Sequence, residues 1–163
     1  MSSDISSPSM DTKKTAVSQS PVTLLLRAIW LCLNGRAYQV RNLKSERLEE
    51  VDDTFVPFRR IVIHPTAGQP TRPGAIFRVR FRFKNLSNGA NRLLSLIPIP
   101  LIVAQPGFRS KTWLLGERTG DFIGYYEFDT LEEANAYWYS LPLRMMRKRA
   151  AKGSLTHDTV INA

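Results

Sequence analysis

Cysteine occurs once, at Cys32, and histidine twice, at His64 and His157. A single thiol closes no disulfide, and one thiol with two imidazoles argues against a structural zinc site, so no metal ligand is assigned. The first residues lack a basic segment followed by an apolar core, so no secretory leader is read and a cytoplasmic location is expected. Long apolar runs are missing too. The best candidate, residues 21–33, falls short of the ~20 apolar residues a bilayer requires and carries Arg27 in its middle. The most informative absence is negative charge. Residues 54–116 contain no Asp or Glu, yet hold Arg59, Arg60, Arg72, Arg78, Arg80, Arg82, Lys84, Arg92, Arg109 and Lys111.

What is present is enough for one ordinary domain with extra elements: 163 residues, of which 43% are hydrophobic. The formal net charge of +9 calls for a partner, either nucleic acid, an anionic membrane surface or an acidic small molecule. Residues 1–20 are rich in Ser and Thr and read as a disordered tail. Residues 21–74 read as an N-terminal extension. It opens with a short helix ended by Asn34-Gly35, which either docks on the domain or lies in a membrane interface with Trp30 as anchor. An acidic segment with Glu46, Glu49, Glu50, Asp52 and Asp53 follows, and residues 58–63 suggest an extra strand.

Residues 75–163 read as the main domain. Along residues 75–84, Phe77, Val79, Phe81 and Phe83 alternate with Arg78, Arg80, Arg82 and Lys84. Only a period of two separates the sets, so this is a strand with one buried and one cationic face. An apolar segment at 91–104 starts as a helix that Pro98 and Pro100 interrupt near Ile97. Strands are expected at 110–117 and 122–128, joined by a tight turn at Thr119-Gly120. A helix then starts at Thr130, with Glu133 completing a capping box and Pro142 as a kink, and residues 154–161 close as a strand. The order β-α-β-β-α-β defines an α+β, ferredoxin-like fold with an antiparallel sheet, preceded by the helical extension.

A two-residue turn at Thr119-Gly120 pairs Leu115 with Gly124, Trp113 with Tyr126 and Lys111 with Phe128. That set belongs with the phenylalanines beneath the helices. The alternate set pairs Leu114 with Tyr125 and Thr112 with Glu127, which puts Tyr125 and Glu127, with Asp158 or His157, beside the arginine row. These faces argue against an RNA-recognition module. Such a module stacks bases on open-face aromatics, and here the first strand's aromatics are buried, while Asp121 stands where that motif wants a cation. Non-specific phosphate binding by the row stays open.

The stretch Ile97-Pro-Ile-Pro-Leu101, the stretch Pro106-Gly-Phe-Arg-Ser-Lys-Thr-Trp113 and the stretch Thr119-Gly-Asp-Phe-Ile-Gly-Tyr-Tyr-Glu-Phe-Asp-Thr130 with Glu133-Ala134 together resemble the antibiotic-biosynthesis-monooxygenase superfamily. The likeness is to its little-characterised monooxygenase-like branches. The resemblance covers residues 75–162. It implies a homodimeric α/β barrel closed through the open sheet faces, with a pocket between sheet and helices. Members include cofactor-independent oxygenases, haem-degrading enzymes, isomerases and small-molecule binding proteins. It therefore implies a small apolar ligand, anionic or neutral, with no cofactor, haem being the alternative through His64 or His157. Candidate ligand or interface residues are Arg78, Arg80, Arg82, Tyr125, Glu127, Trp113 and His157. No residue is singled out as catalytic. A non-catalytic basic module, binding RNA or phosphate or lying at the membrane periphery, is the competing reading.

Overall fold

Alternation of apolar and cationic side chains builds the central strand. The computed structural model describes residues 20–40, 43, 47–84 and 87–162. The expected disordered tail lies outside the described residues, save Ser20, which caps the first helix by accepting from the Val22 amide. Helices are α1 (Pro21–Leu33), α2 (Asn88–Leu94), α3 (Ile99–Val103), α4 (Leu131–Tyr137) and α5 (Leu141–Arg149). Strands are β1 (Ala37–Val40), β2 (Leu48–Glu49), β3 (Thr54–Ile63), β4 (Ala75–Phe81), β5 (Phe108–Gly116), β6 (Phe122–Phe128) and β7 (Thr156–Ile161). Among the described residues these strands form one antiparallel sheet in the order β1-β3-β5-β6-β4-β7, with β2 against β3. From β4 onward the order is ferredoxin-like. The strand β3 then extends the sheet along the remaining edge of β5.

Local chemistry explains the boundaries. Pro98 stands at the N-cap of α3 and Pro100 lies in its first turn, where a missing N–H costs nothing, so these prolines end one helix and start the next. Pro142 does the same for α5, after Ser140. Thr130 caps α4, its hydroxyl accepting from the Glu133 amide at 3.2 Å and donating to the Glu133 carboxylate at 2.9 Å.

The hairpin between β5 and β6 differs from the expected register. Leu115 pairs with Phe122, Trp113 with Gly124 and Lys111 with Tyr126. The connection is a four-residue loop, with the Gly116 amide donating to the Asp121 carbonyl at 2.8 Å. Asp53 is the reason. Its carboxylate accepts from the amides of Arg118 (3.0 Å) and Thr119 (2.9 Å) and from the Thr119 hydroxyl (2.5 Å), holding the loop open. Gly120 turns at φ +68, and a Cβ on Gly116 would stand 2.2 Å from the Asp53 carboxylate. Because the slip is by two residues, every side chain keeps its expected face.

The helix-covered face buries Phe77, Val79, Phe81, Phe122, Tyr126 and Phe128 with Ala134, Tyr137 and Leu143. The opposite face is not open throughout. Phe55, Leu114 and Ile123 form a second apolar cluster there, with Leu48 and Tyr125 packed against it. Leu48 pairs with Phe55, so the turn of chain through β2 covers part of the face expected to be bare.

Candidate functional site

The arginine row is neutralised within the chain. Arg78 donates to Asp158 at 2.8 Å and to Glu50 at 2.9 Å. Arg80 donates to Glu50 at 3.0 Å, to Asp52 at 2.8 and 2.5 Å, and to Asp121 at 2.9 Å. Arg82 donates to Asp121 at 2.7 Å. Bonding to Asp52 raises the affinity of Arg80 for its proton, and Arg80 in turn holds Asp52 below the usual carboxylate range. Four carboxylates therefore meet three guanidiniums, which removes the need for an external anion. Most of this acid comes from residues 50–52 and from Asp121 in the hairpin, which the strand pattern alone did not bring to this face.

The other expected neighbours separate. Tyr125 does lie across from Arg78, and burial followed by the charge of Glu127 raises its phenol pKa. Glu127 turns instead to the Ser110 hydroxyl and, at 3.8 Å, to Arg60. His157 lies across from Val79 on the helix-covered side, stacked on Trp138 with centroids 3.6 Å apart. Trp113 is buried on that same side.

Trp113 belongs to a group with different chemistry. Lys111, 6% exposed, sits on the helix-facing side of β5. Its Nζ lies 4.1 Å from the Trp113 ring centre and 4.4 Å from that of Tyr126. Tyr137 of α4 packs on Tyr126 at 4.7 Å. A bulge between Pro57 and Arg59 in β3 brings Arg59 opposite Trp113, its guanidinium 5.7 Å from that ring. Arg59 also donates to the Ser95 hydroxyl and the Arg92 carbonyl, tying β3 to α2. Among the described residues, Arg59, Arg92 and Lys111 have no carboxylate partner.

The electrostatics follow from that omission. Burial, then the charge of Arg59, pushes the Lys111 amine well below its ordinary pKa. Burial and Arg92 likewise lower Arg59. Burial raises both the Tyr126 and Tyr137 phenols, so they stay protonated. The result is an aromatic-walled group in which an amine that sheds its proton more readily than an ordinary lysine sits beside a guanidinium. Lys111 was the missed residue, and its signal was legible: it falls in the same period-two set as Trp113 and Leu115, where an apolar side chain is the norm. Arg59 was not legible, because the bulge that turns it inward follows from pairing with β5.

Comparison with known proteins places the fold. No protein-family model matches the sequence and no curated protein does. Strand order and helix placement define a ferredoxin-like α+β protein. More narrowly, the fold is that of proteins related to the antibiotic biosynthesis monooxygenases. An uncharacterised ferredoxin-fold protein of that kind from Listeria monocytogenes aligns over 83% of this chain and 86% of its own, at 11% identity and a TM-score of 0.51. A heme-degrading enzyme from the same organism aligns over 83% of this chain and 92% of its own, also at 11% identity and 0.51. An anthrone oxidase-like protein shares 19% identity over 67% of this chain at a TM-score of 0.48, and this chain spans only 54% of it. At such identities the likeness is one of fold.

Proposed function

We propose that the chain binds a small apolar anion between sheet and helices and acts on it as a cofactor-independent, monooxygenase-like protein in a dimeric barrel. The observation that carries this reading is the acid-free pair Lys111 and Arg59 among Trp113, Tyr126 and Tyr137. A buried cation with no carboxylate among the described residues, as Lys111 is, is costly unless a ligand supplies the anion or the group sheds its proton, and half-buried Arg59 adds its charge beside it. Both routes suit one substrate class, an aromatic compound with an acidic C–H or O–H. Lys111, whose proton is held less tightly than an ordinary lysine's, takes that proton as the free amine, and Arg59 balances the enolate or phenolate that remains. The carbanion then reduces dioxygen. A methylene becomes a carbonyl with one oxygen atom, and the other leaves as water with the two hydrogens lost.

A haem fits the described residues poorly. His157, on the helix-covered side, is held flat on Trp138, and His64 is exposed and stacked on Tyr38; holding iron would break either stack. No step is therefore assigned to haem.

The test combines binding and turnover. Naphthoate should quench tryptophan fluorescence in the wild type, and Arg59→Met should weaken its binding about tenfold or more, as loss of a charge-assisted contact does. In metal-free buffer with an enolisable hydroxyaromatic ketone, dioxygen consumption should fall by at least about a hundredfold in Lys111→Met, the usual worth of a general base. Dioxygen uptake unchanged by Lys111→Met would remove the amine from the chemistry. Naphthoate binding unchanged by Arg59→Met would remove the site.

A further inference from the structure

The helix α1 buries Leu24, Ala28 and Leu31 and leaves its remaining apolar side chains in solvent. Leu26 is 63% exposed, Trp30 53% and Leu33 82%, with Val22, Leu25 and Ile29 exposed beside them. Because α1 packs against α3, it joins the helical layer that also exposes Leu93, Leu96 and Ile97, on α2 and its link to α3. No Asp or Glu occurs in residues 12–45 or 54–116, which supply α1, α2 and α3. The charges they carry are cationic: Arg27 within α1, Arg92 in the last turn of α2, and Arg36, which lies 5.6 Å from the Trp30 ring. A cavity of about 120 Å³ opens beside α1, lined by Arg27, Trp30, Arg36, Thr66, Gln69 and Arg109 among others; Asp129 already holds Gln69 (3.1 Å) and Arg109 (3.2 Å), which leaves Arg27 and Arg36 as its cations without a carboxylate among the described residues.

An occupant of this face must be apolar and anionic at once. We propose that it is an anionic phospholipid surface. In this arrangement α1 lies in the plane of the interface and the cavity at Arg27 and Arg36 receives a headgroup phosphate. At 1.5 Å per residue the helix is about 20 Å long, a length suited to lying on a bilayer and too short to cross one. A second copy of the chain fits less well, because a shared two-fold face would carry Arg27, Arg36 and Arg92 on both sides, with no carboxylate from these helices to meet them. Residues 1–19 cannot supply a matching apolar cover, since their large apolar side chains are only Met1, Ile5, Met10 and Val17. This inference stands apart from the ligand site at Lys111.

The test is co-sedimentation of the full chain with vesicles of phosphatidylcholine alone and of phosphatidylcholine with phosphatidylglycerol. Binding should be confined to the mixed vesicles and should weaken as salt is raised. Two exposed substitutions, each checked for retained secondary structure by circular dichroism, separate the contributions. Leu26→Glu should weaken binding at least about tenfold, and Arg27→Glu, which reverses one charge, about thirtyfold. Failure to sediment with mixed vesicles would overturn the proposal, as would equal binding to both compositions or indifference to Leu26→Glu. If inorganic phosphate raised the melting temperature while vesicles were ignored, the cavity would belong to free phosphate. A dimer made monomeric by Leu26→Glu, again without vesicle binding, would assign the face to a second copy.

Discussion

Lys111 illustrates how one residue's surroundings set its chemistry. A lysine ammonium in water costs nothing, but on the helix-facing side of β5 it meets Trp113, Tyr126 and the charge of Arg59. Its folded pKa lies below the unfolded value, so between the two the unfolded chain binds the extra proton. Stability then rises with pH through that window. The wild type should accordingly gain stability in urea titrations as pH climbs through that window towards about 10, above which the ordinary tyrosine pKa brings in opposing titrations from Tyr126 and Tyr137. Lys111→Met should flatten that rise and be more stable at neutral pH. An equal pH slope in both proteins would place Lys111 in an ordinary solvated state. The residue's face was readable from alternation, whereas its missing counter-ion was not, because that depends on every neighbour packed around it.

At the scale of elements, the hairpin between β5 and β6 owes its length to a carboxylate from a distant segment. Burial alone would raise the Asp53 pKa, but the hydrogen bonds from Thr119, Arg118 and Thr54 outweigh it and hold the carboxyl well below the usual range. Such a group stabilises the fold above its unfolded pKa and ceases to do so as pH falls through its folded one. Gly116→Ala should mimic part of that loss at neutral pH, because the new methyl occupies the Asp53 seat. We expect Asp53→Ala and Gly116→Ala each to lower the melting temperature, and the double variant to fall by less than their sum. Full additivity in thermal melts would separate the loop from Asp53. Thr119-Gly120 was visible as a turn in the sequence. Its four-residue form was not, since turn chemistry is local and Asp53 lies more than sixty residues away.

At the scale of the molecule, the sheet has one cationic row satisfied inside the chain and one group that has no carboxylate among the described residues. A satisfied row has no charge left for a partner, although the dimeric barrel proposed above is still expected to form. Arg80→Met should therefore destabilise the protein by about 2–3 kcal/mol, because Glu50, Asp52 and Asp121 lose their shared cation. Light scattering should show a dimer for wild type and variant alike. Loss of the dimer without loss of stability would return the row to the interface. A wild type that is monomeric at micromolar concentration would remove the barrel.

The division between what was legible and what was not follows the range of the forces. Alternation along β4, the Thr130–Glu133 cap and the proline breaks in the helices are local, set by backbone geometry and side-chain period, and the sequence alone determines them together with the ferredoxin-like order. Which acid meets which arginine, how the β3 bulge turns Arg59 inward, and that Lys111 is left without a carboxylate depend on segments far apart in the chain. Only the tertiary structure decides those, because a charge's state is fixed by everything packed within a few ångströms of it.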